Sequence, residues 1–227
     1  MRALSFTPLI FSLAILTAGC TDSDGSSTAF GETVTGVATY YDFADGSGAC
    51  MFDPSPGDLD VAALNAEQWA GSSWCGACAD VTGPSGSVRV RIVDLCPECH
   101  HGHLDLSPQA FDKIAAHELG RVDITWQFVP CDTTGPVSYK YKDGANQWWT
   151  AIQVRNHRLP IVSLKWSTDG TTWHSTTRQD YNYFIDSGGF GADPVRIRIE
   201  AVDGQILEDE LPAVQAELEV DGAAQFQ

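Results

Sequence analysis

Asp94 and Asp105 lie eleven positions apart around Cys96-Pro97-Glu98-Cys99, in the run DLCPECHHGHLDLSPQA that spans residues 94–110. Two carboxylates folded into one groove share a field that raises the pKa of one of them, and a protonated acid can then donate to a ligand oxygen. Read blandly, Asp94 only braces the Cys96 turn. Further along, Trp148, Trp149 and Tyr181 offer flat rings that stack on the apolar faces of sugar units, with Lys142 as a hydrogen-bond donor beside them. Adjacent residues in a strand face opposite ways, so both tryptophans can be exposed only where a strand begins or bulges. A third chemistry competes. Cys75-x2-Cys78 and Cys96-x2-Cys99 are separated by seventeen residues, the spacing of a four-cysteine zinc ribbon, and His100, His101 and His103 stand close by.

The amino terminus decides between metal and disulfides. Residues 1–19 contain one Arg, no acid and an apolar run from Pro8 to Ala18, and they end just before Cys20. This reads as a secretion leader, with Cys20 placed for lipidation in a bacterial envelope. Six cysteines remain, Cys50, Cys75, Cys78, Cys96, Cys99 and Cys131, and an even number in an exported chain suits three disulfides. No metal and no cofactor is expected, and the histidines read as polar loop residues. The leader carries one of the thirteen basic residues and none of the thirty acids, so the mature chain has a formal charge of −18. Such a surface repels polyanions, which excludes nucleic acid and disfavours acidic wall polymers. Neutral polysaccharide stays open, although solubility is the simplest role of the charge.

Residues 20–33 are mostly Ser, Asp, Gly and Thr with little to pack, and read as a disordered tether. From residue 34 the pattern is mainly β. Val88, Val90 and Ile92 alternate with polar residues, as do Ile124, Trp126 and Phe128, and Gly36 to Tyr41 is a third strand. Asn65 and Ser107 cap short helices, the second with Pro108 at its first position. Strands with small helices between them, over residues 34–131, suit a compact barrel. Asp132 to Pro136 is the expected linker. Residues 137–212 carry strand patterns at Val137 to Tyr141, Trp149 to Val154, Ile161 to Trp166 and Val195 to Val202, which argue for an antiparallel sandwich. Residues 213–227 read as a loosely held acidic tail.

The first half resembles the expansins in Thr39-Tyr40-Tyr41, Gly48-Ala49-Cys50, Cys75-Gly76-Ala77-Cys78, Asp94-Leu95-Cys96-Pro97-Glu98-Cys99 and His103-Leu104-Asp105-Leu106-Ser107. The second half looks like the second domain of microbial expansins, in Lys142-Asp143-Gly144, in the run from Gln147 to His157 and in Asp180-Tyr181-Asn182. The resemblance implies a six-stranded double-psi β-barrel followed by an immunoglobulin-like β-sandwich that binds cellulose or a related neutral β-glucan, and wall loosening without hydrolysis. It implies a loosening site of Thr39, Asp94 and Asp105, and a polysaccharide platform of Trp148, Trp149, Tyr181 and Lys142. By the pattern of plant members, Cys50 pairs with Cys75 and Cys78 with Cys131, leaving Cys96 with Cys99. Bacterial relatives commonly place Tyr where this chain has Cys96, so a groove ring is expected to be missing here.

The same resemblance reaches the family-45 endoglucanases, in which the counterpart of Asp105 is the proton donor and a second aspartate activates water. Asp42 stands near that second position, although its surroundings, rich in Asp, Ser and Gly, suit a plain turn. An inverting cut needs a carboxylate about 6.5–9.5 Å from the acid, and a solitary acid cannot complete it. Rival readings are therefore an endoglucanase, a lipoprotein lytic transglycosylase acting on peptidoglycan, a plain carbohydrate-binding lipoprotein, and a zinc-organised interaction domain. A monomer is expected, touching membrane only through a lipid on Cys20.

Overall fold

Alternating apolar residues in the first half close a barrel. The structure is a computed structural model that describes residues 29–42 and 44–227; the leader, Cys20 and most of the expected tether lie outside the described residues. Six strands, β1 (Val34–Tyr40), β2 (Val61–Asn65), β3 (Cys78–Gly83), β4 (Gly86–Cys96), β5 (Leu104–Leu106) and β6 (Val122–Val129), join in the order β1-β5-β2-β4-β3-β6. The pairs β1–β5 and β2–β4 are parallel and the others antiparallel. Leu64, Ile92, Leu104, Leu106, Phe111, Trp126 and Phe128 fill the interior. Each such side chain stabilises the fold by about 1.5–3 kcal/mol.

Both expected helices form with their caps. Asn65 accepts from Gln68 N to open α1 (Ala66–Trp69), and Ser107 accepts from Ala110 N to open α2 (Pro108–Ile114). The histidine-bearing end of the second pattern breaks away as a short 3₁₀ turn, His117–Leu119.

Nine further strands follow: β7 (Ser138–Tyr141), β8 (Thr150–Arg155), β9 (Ile161–Ser167), β10 (His174–Ser175), β11 (Thr177–Arg178), β12 (Phe184–Asp186), β13 (Val195–Ala201), β14 (Ile206–Leu211) and β15 (Glu219–Asp221). They form two sheets, β11-β12-β8-β7-β15 and β10-β9-β13-β14. Tyr139, Tyr141, Ile152, Val154 and Phe184 of the first meet Ile161, Leu164, Val195, Ile197 and Ile199 of the second in a common core. The tail departs from expectation. Glu219–Asp221 pairs with β7 as an edge strand and Phe226 is buried in the sandwich core, because Val214, Leu218 and Val220 pack there with it and seat the acidic segment.

Three disulfides join Cys50 to Cys75, Cys78 to Cys131 and Cys96 to Cys99. The four cysteines with ribbon spacing are thereby consumed, which removes the zinc reading.

Candidate functional site

Four strands lay one row of side chains across the outside of the barrel. Thr39 on β1 is opposite Asp105 on β5, Asp105 is opposite Ala63 on β2, and Ala63 is opposite Asp94 on β4. Asp105 points outward because Leu104 and Leu106, its neighbours on the strand, point into the core. Asp94 reaches the row through a register shift between Ala62 and Ala63: Ile92 pairs with Ala62, then Val93 is passed over and Asp94 pairs with Ala63. Without that bulge Val93 would face the groove and Asp94 the interior. With strands spaced at about 4.8 Å, the two acids stand on backbones roughly 10 Å apart, with the small, buried Ala63 side chain between them.

The two carboxylates have different surroundings. Thr39 Oγ1 donates to Asp105 Oδ1, and His103 Nε2 lies 2.8 Å from the same hydroxyl. Since the threonine proton is spent on the acid, Nε2 of a neutral His103 supplies the second proton. Burial raises the Asp105 carboxyl above the usual carboxylate range, against the lowering pull of the Thr39 bond and of His103. Burial, then the charge of Arg121, lowers the His103 imidazole and keeps it neutral at pH 7. Asp94 is held otherwise. Its Oδ1 accepts from Ala49 N at 2.7 Å and Leu95 N at 2.8 Å. A Cβ on Gly48 would stand 2.5 Å from Asp94 Cγ, so glycine is what lets that loop close over the carboxylate.

On the sandwich, the paired tryptophans lie in a turn rather than in a strand. Asn146 N donates to Trp149 O at 2.8 Å, Trp148 N donates to Asn146 Oδ1 at 2.9 Å, and β8 begins only at Thr150. Trp148 is 73% exposed and Trp149 partly so, which resolves the facing conflict posed by adjacent strand residues. Tyr181 is partly exposed, its ring 6.1 Å from that of Tyr183, and Lys142 Nζ lies 5.9 Å from the Tyr183 ring while pairing with Asp143. One loop joins groove to platform. Ala49 N holds Asp94, and the next carbonyl, Cys50 O, accepts from Gln153 Nε2 at 2.8 Å and from Asn182 Nδ2 at 3.4 Å, between Tyr181 and Tyr183.

Comparison with known proteins decides the family. Residues 61–126 match a family model described as lytic transglycolase. The chain is 35% identical over 204 residues to Expansin-YoaJ of Bacillus subtilis (strain 168), covering 88% of this chain and 87% of that protein. This chain belongs to the expansins. Expansin-like protein 1 of Dictyostelium discoideum is 32% identical over 207 residues, or 85% of this chain and 72% of that one. The crystal structure of the apo Clavibacter michiganensis expansin matches with a TM-score of 0.79 at 29% identity, over 86% of this chain and 98% of that chain. A variant of the same Clavibacter expansin, crystallised in complex with cellohexaose, matches equally well. The double-psi barrel and sandwich are thus the expansin architecture.

Within this expansin, three groove residues escaped the sequence reading. His103 lies in the loop before β5 as expected, but it is a buried partner of Thr39 rather than a free polar residue. Tyr41 packs on Ala63, Cys96 and Cys99, so the groove keeps a ring although Cys96 supplies none. Burial, with the charges of Asp94, Asp105 and Asp45, pushes the Tyr41 hydroxyl far above its usual range and keeps it protonated. Asp45 is the third, brought near by the loop after β1, where Ser47 N and Oγ bond its carboxylate and hold its pKa low. Asp42 is exposed at the turn that ends β1.

Proposed function

We propose that this expansin lays one chain of cellulose or a related neutral β-glucan across Trp148, Trp149, Tyr181 and Lys142 and along the groove of Thr39, Asp94 and Asp105, loosening wall polysaccharide without cutting it. The observation that carries this reading is the Ala49–Cys50 loop, which ties the groove acid to the sheet bearing the rings. The complex of the Clavibacter relative with cellohexaose supports the choice of polymer. A polymer outside the cell also fits the leader read at residues 1–19.

Loosening without hydrolysis follows from the unequal acids. Asp105, partly buried and raised, donates a hydrogen bond to a glucan oxygen while protonated. Asp94 has Oδ1 committed to two amides and turned toward the covering loop, which is poor geometry for activating a water above a sugar. An acid that grips without a base that completes the displacement strains a chain and releases it whole. Side-by-side wall creep and soluble-sugar release for the parent and Asp105→Asn test this. Creep is expected from the parent, strongest on the acid side of the Asp105 titration, and lost in the variant, with no sugar from either. Sugar release that needed Asp105 and disappeared in Asp42→Ala would make the protein an endoglucanase instead.

A further inference from the structure

One residue of the barrel is gripped on three sides by the sandwich. Ser72 is fully buried with a φ of +66°, a conformation uncommon for any residue but glycine and kept only where surroundings over-determine it. Its Oγ donates to Gln179 O at 2.8 Å and accepts from Asn182 N at 3.2 Å, and its carbonyl accepts from Arg178 Nη1 at 2.6 Å. Arg178 spends its other terminal nitrogen on Ile161 O at 2.6 Å and lies 4.5 Å over the Phe184 ring. It forms no ion pair among the described residues, and its Nε is buried without a partner. A cation removed from water with only two carbonyls and a ring face for company is expensive, and stability alone would favour an apolar residue there.

The position of this grip gives it a use. The gripping segment, residues 178–182, contains the platform ring of Tyr181 between Gln179 and Asn182. On the barrel side Ser72 stands three residues from Cys75, whose disulfide partner Cys50 follows Ala49, the donor to Asp94. The path from groove acid to platform ring therefore runs Asp94, Ala49, Cys50, Cys75, Ser72, Arg178, each step a covalent link or a hydrogen bond. We infer that Ser72 and Arg178 form a positioning socket that fixes the Tyr181 ring relative to Asp94 and Asp105, so that a glucan chain held by the platform is presented to the groove in one register. Neither residue touches the polymer. The inference rests on the proposed function for its consequence and on geometry alone for the socket itself.

Two substitutions separate this from simple bracing. Arg178→Lys keeps the charge and removes the planar fork that reaches two carbonyls at once. Ser72→Gly suits the positive φ, keeps the carbonyl and removes the hydroxyl. Both are expected to fold and to hold cellulose in a pull-down as the parent does, while wall creep falls severalfold and residual dipolar couplings show the two domains sampling more than one relative orientation. The double variant should lose little beyond the worse single one, since both break the same contact. Unchanged domain orientation in both single variants overturns the socket, whatever happens to creep. If the orientation loosens but the parent itself shows no creep, the socket stands and the wall-loosening reading falls. Creep that persists with a loosened orientation overturns the inferred dependence on register.

Discussion

At the scale of single residues, the barrel row holds two aspartates whose surroundings differ in a way that composition cannot show. Asp105 binds its proton more tightly folded than unfolded, so the native state holds more protons, and stability declines as pH rises from the ordinary value of 3.8 through the raised folded one. Asp105→Asn removes that burden while still accepting from Thr39. The variant should melt above the parent at about pH 7, with the gap closing toward about pH 3, as loss of the ionised form predicts. Melting curves across that range check it; a variant less stable than the parent at neutral pH would mean that the Asp105 carboxylate is welcome where it sits. The acid pair itself was legible from spacing and family motif, because it depends on residue type alone. His103 and Tyr41 were not, since their parts depend on which face of a strand or loop turns toward the acids.

At the scale of elements, the long alternating strands and capped helices were readable because their periodicity is local. Thr177–Arg178 and Phe184–Asp186 are too short to show a period, and Ile206–Leu211 hides behind its acids, so β11, β12 and β14 went unread. The bulge that turns Asp94 outward leaves no mark in composition either, because it is a property of the pairing between β2 and β4. The platform turn is a further case of an element set by remote packing. A Cβ on Gly189 would meet Gln147 O at 2.2 Å, and Gly189 has a φ of +74°, so this glycine lets the 186–191 loop buttress the turn carrying Trp148. Gly189→Ala should cut cellulose pull-down as strongly as Trp148→Ala, although it removes no ring. Pull-downs of the two variants side by side, with tryptophan fluorescence to report the turn, measure this; full retention in Gly189→Ala would show that the turn holds itself.

At the scale of the whole molecule, the interface between barrel and sandwich is polar and carries titratable groups. Asp53 takes Lys140 at 2.8 Å and Arg155 at 2.7 Å, which lowers its carboxyl pKa, but its exposure leaves that pair a small contributor. His157 matters more. It is buried beside the barrel with Nδ1 at 2.9 Å from Leu159 O, and burial, aided by the charge of Arg178, lowers its pKa to about 4. The native state then holds fewer protons than the unfolded one between the ordinary 6.5 and about 4, so stability rises with pH across that window and is lost as pH falls through it. His157→Gln should flatten this acid limb in urea unfolding, and an unchanged slope would place the acid sensitivity elsewhere. The disulfides show what such an interface has to bear. Cys50 offers the carbonyl that Gln153 and Asn182 hold, and the amide of Cys131 donates to Arg158 O at 2.9 Å, so two of the three crosslinks end where the domains meet. Tension from a sugar chain tugging on the rings would be delivered straight into sulfur bonds on the barrel side, and the protein would behave as a stiff wedge rather than a hinged pair.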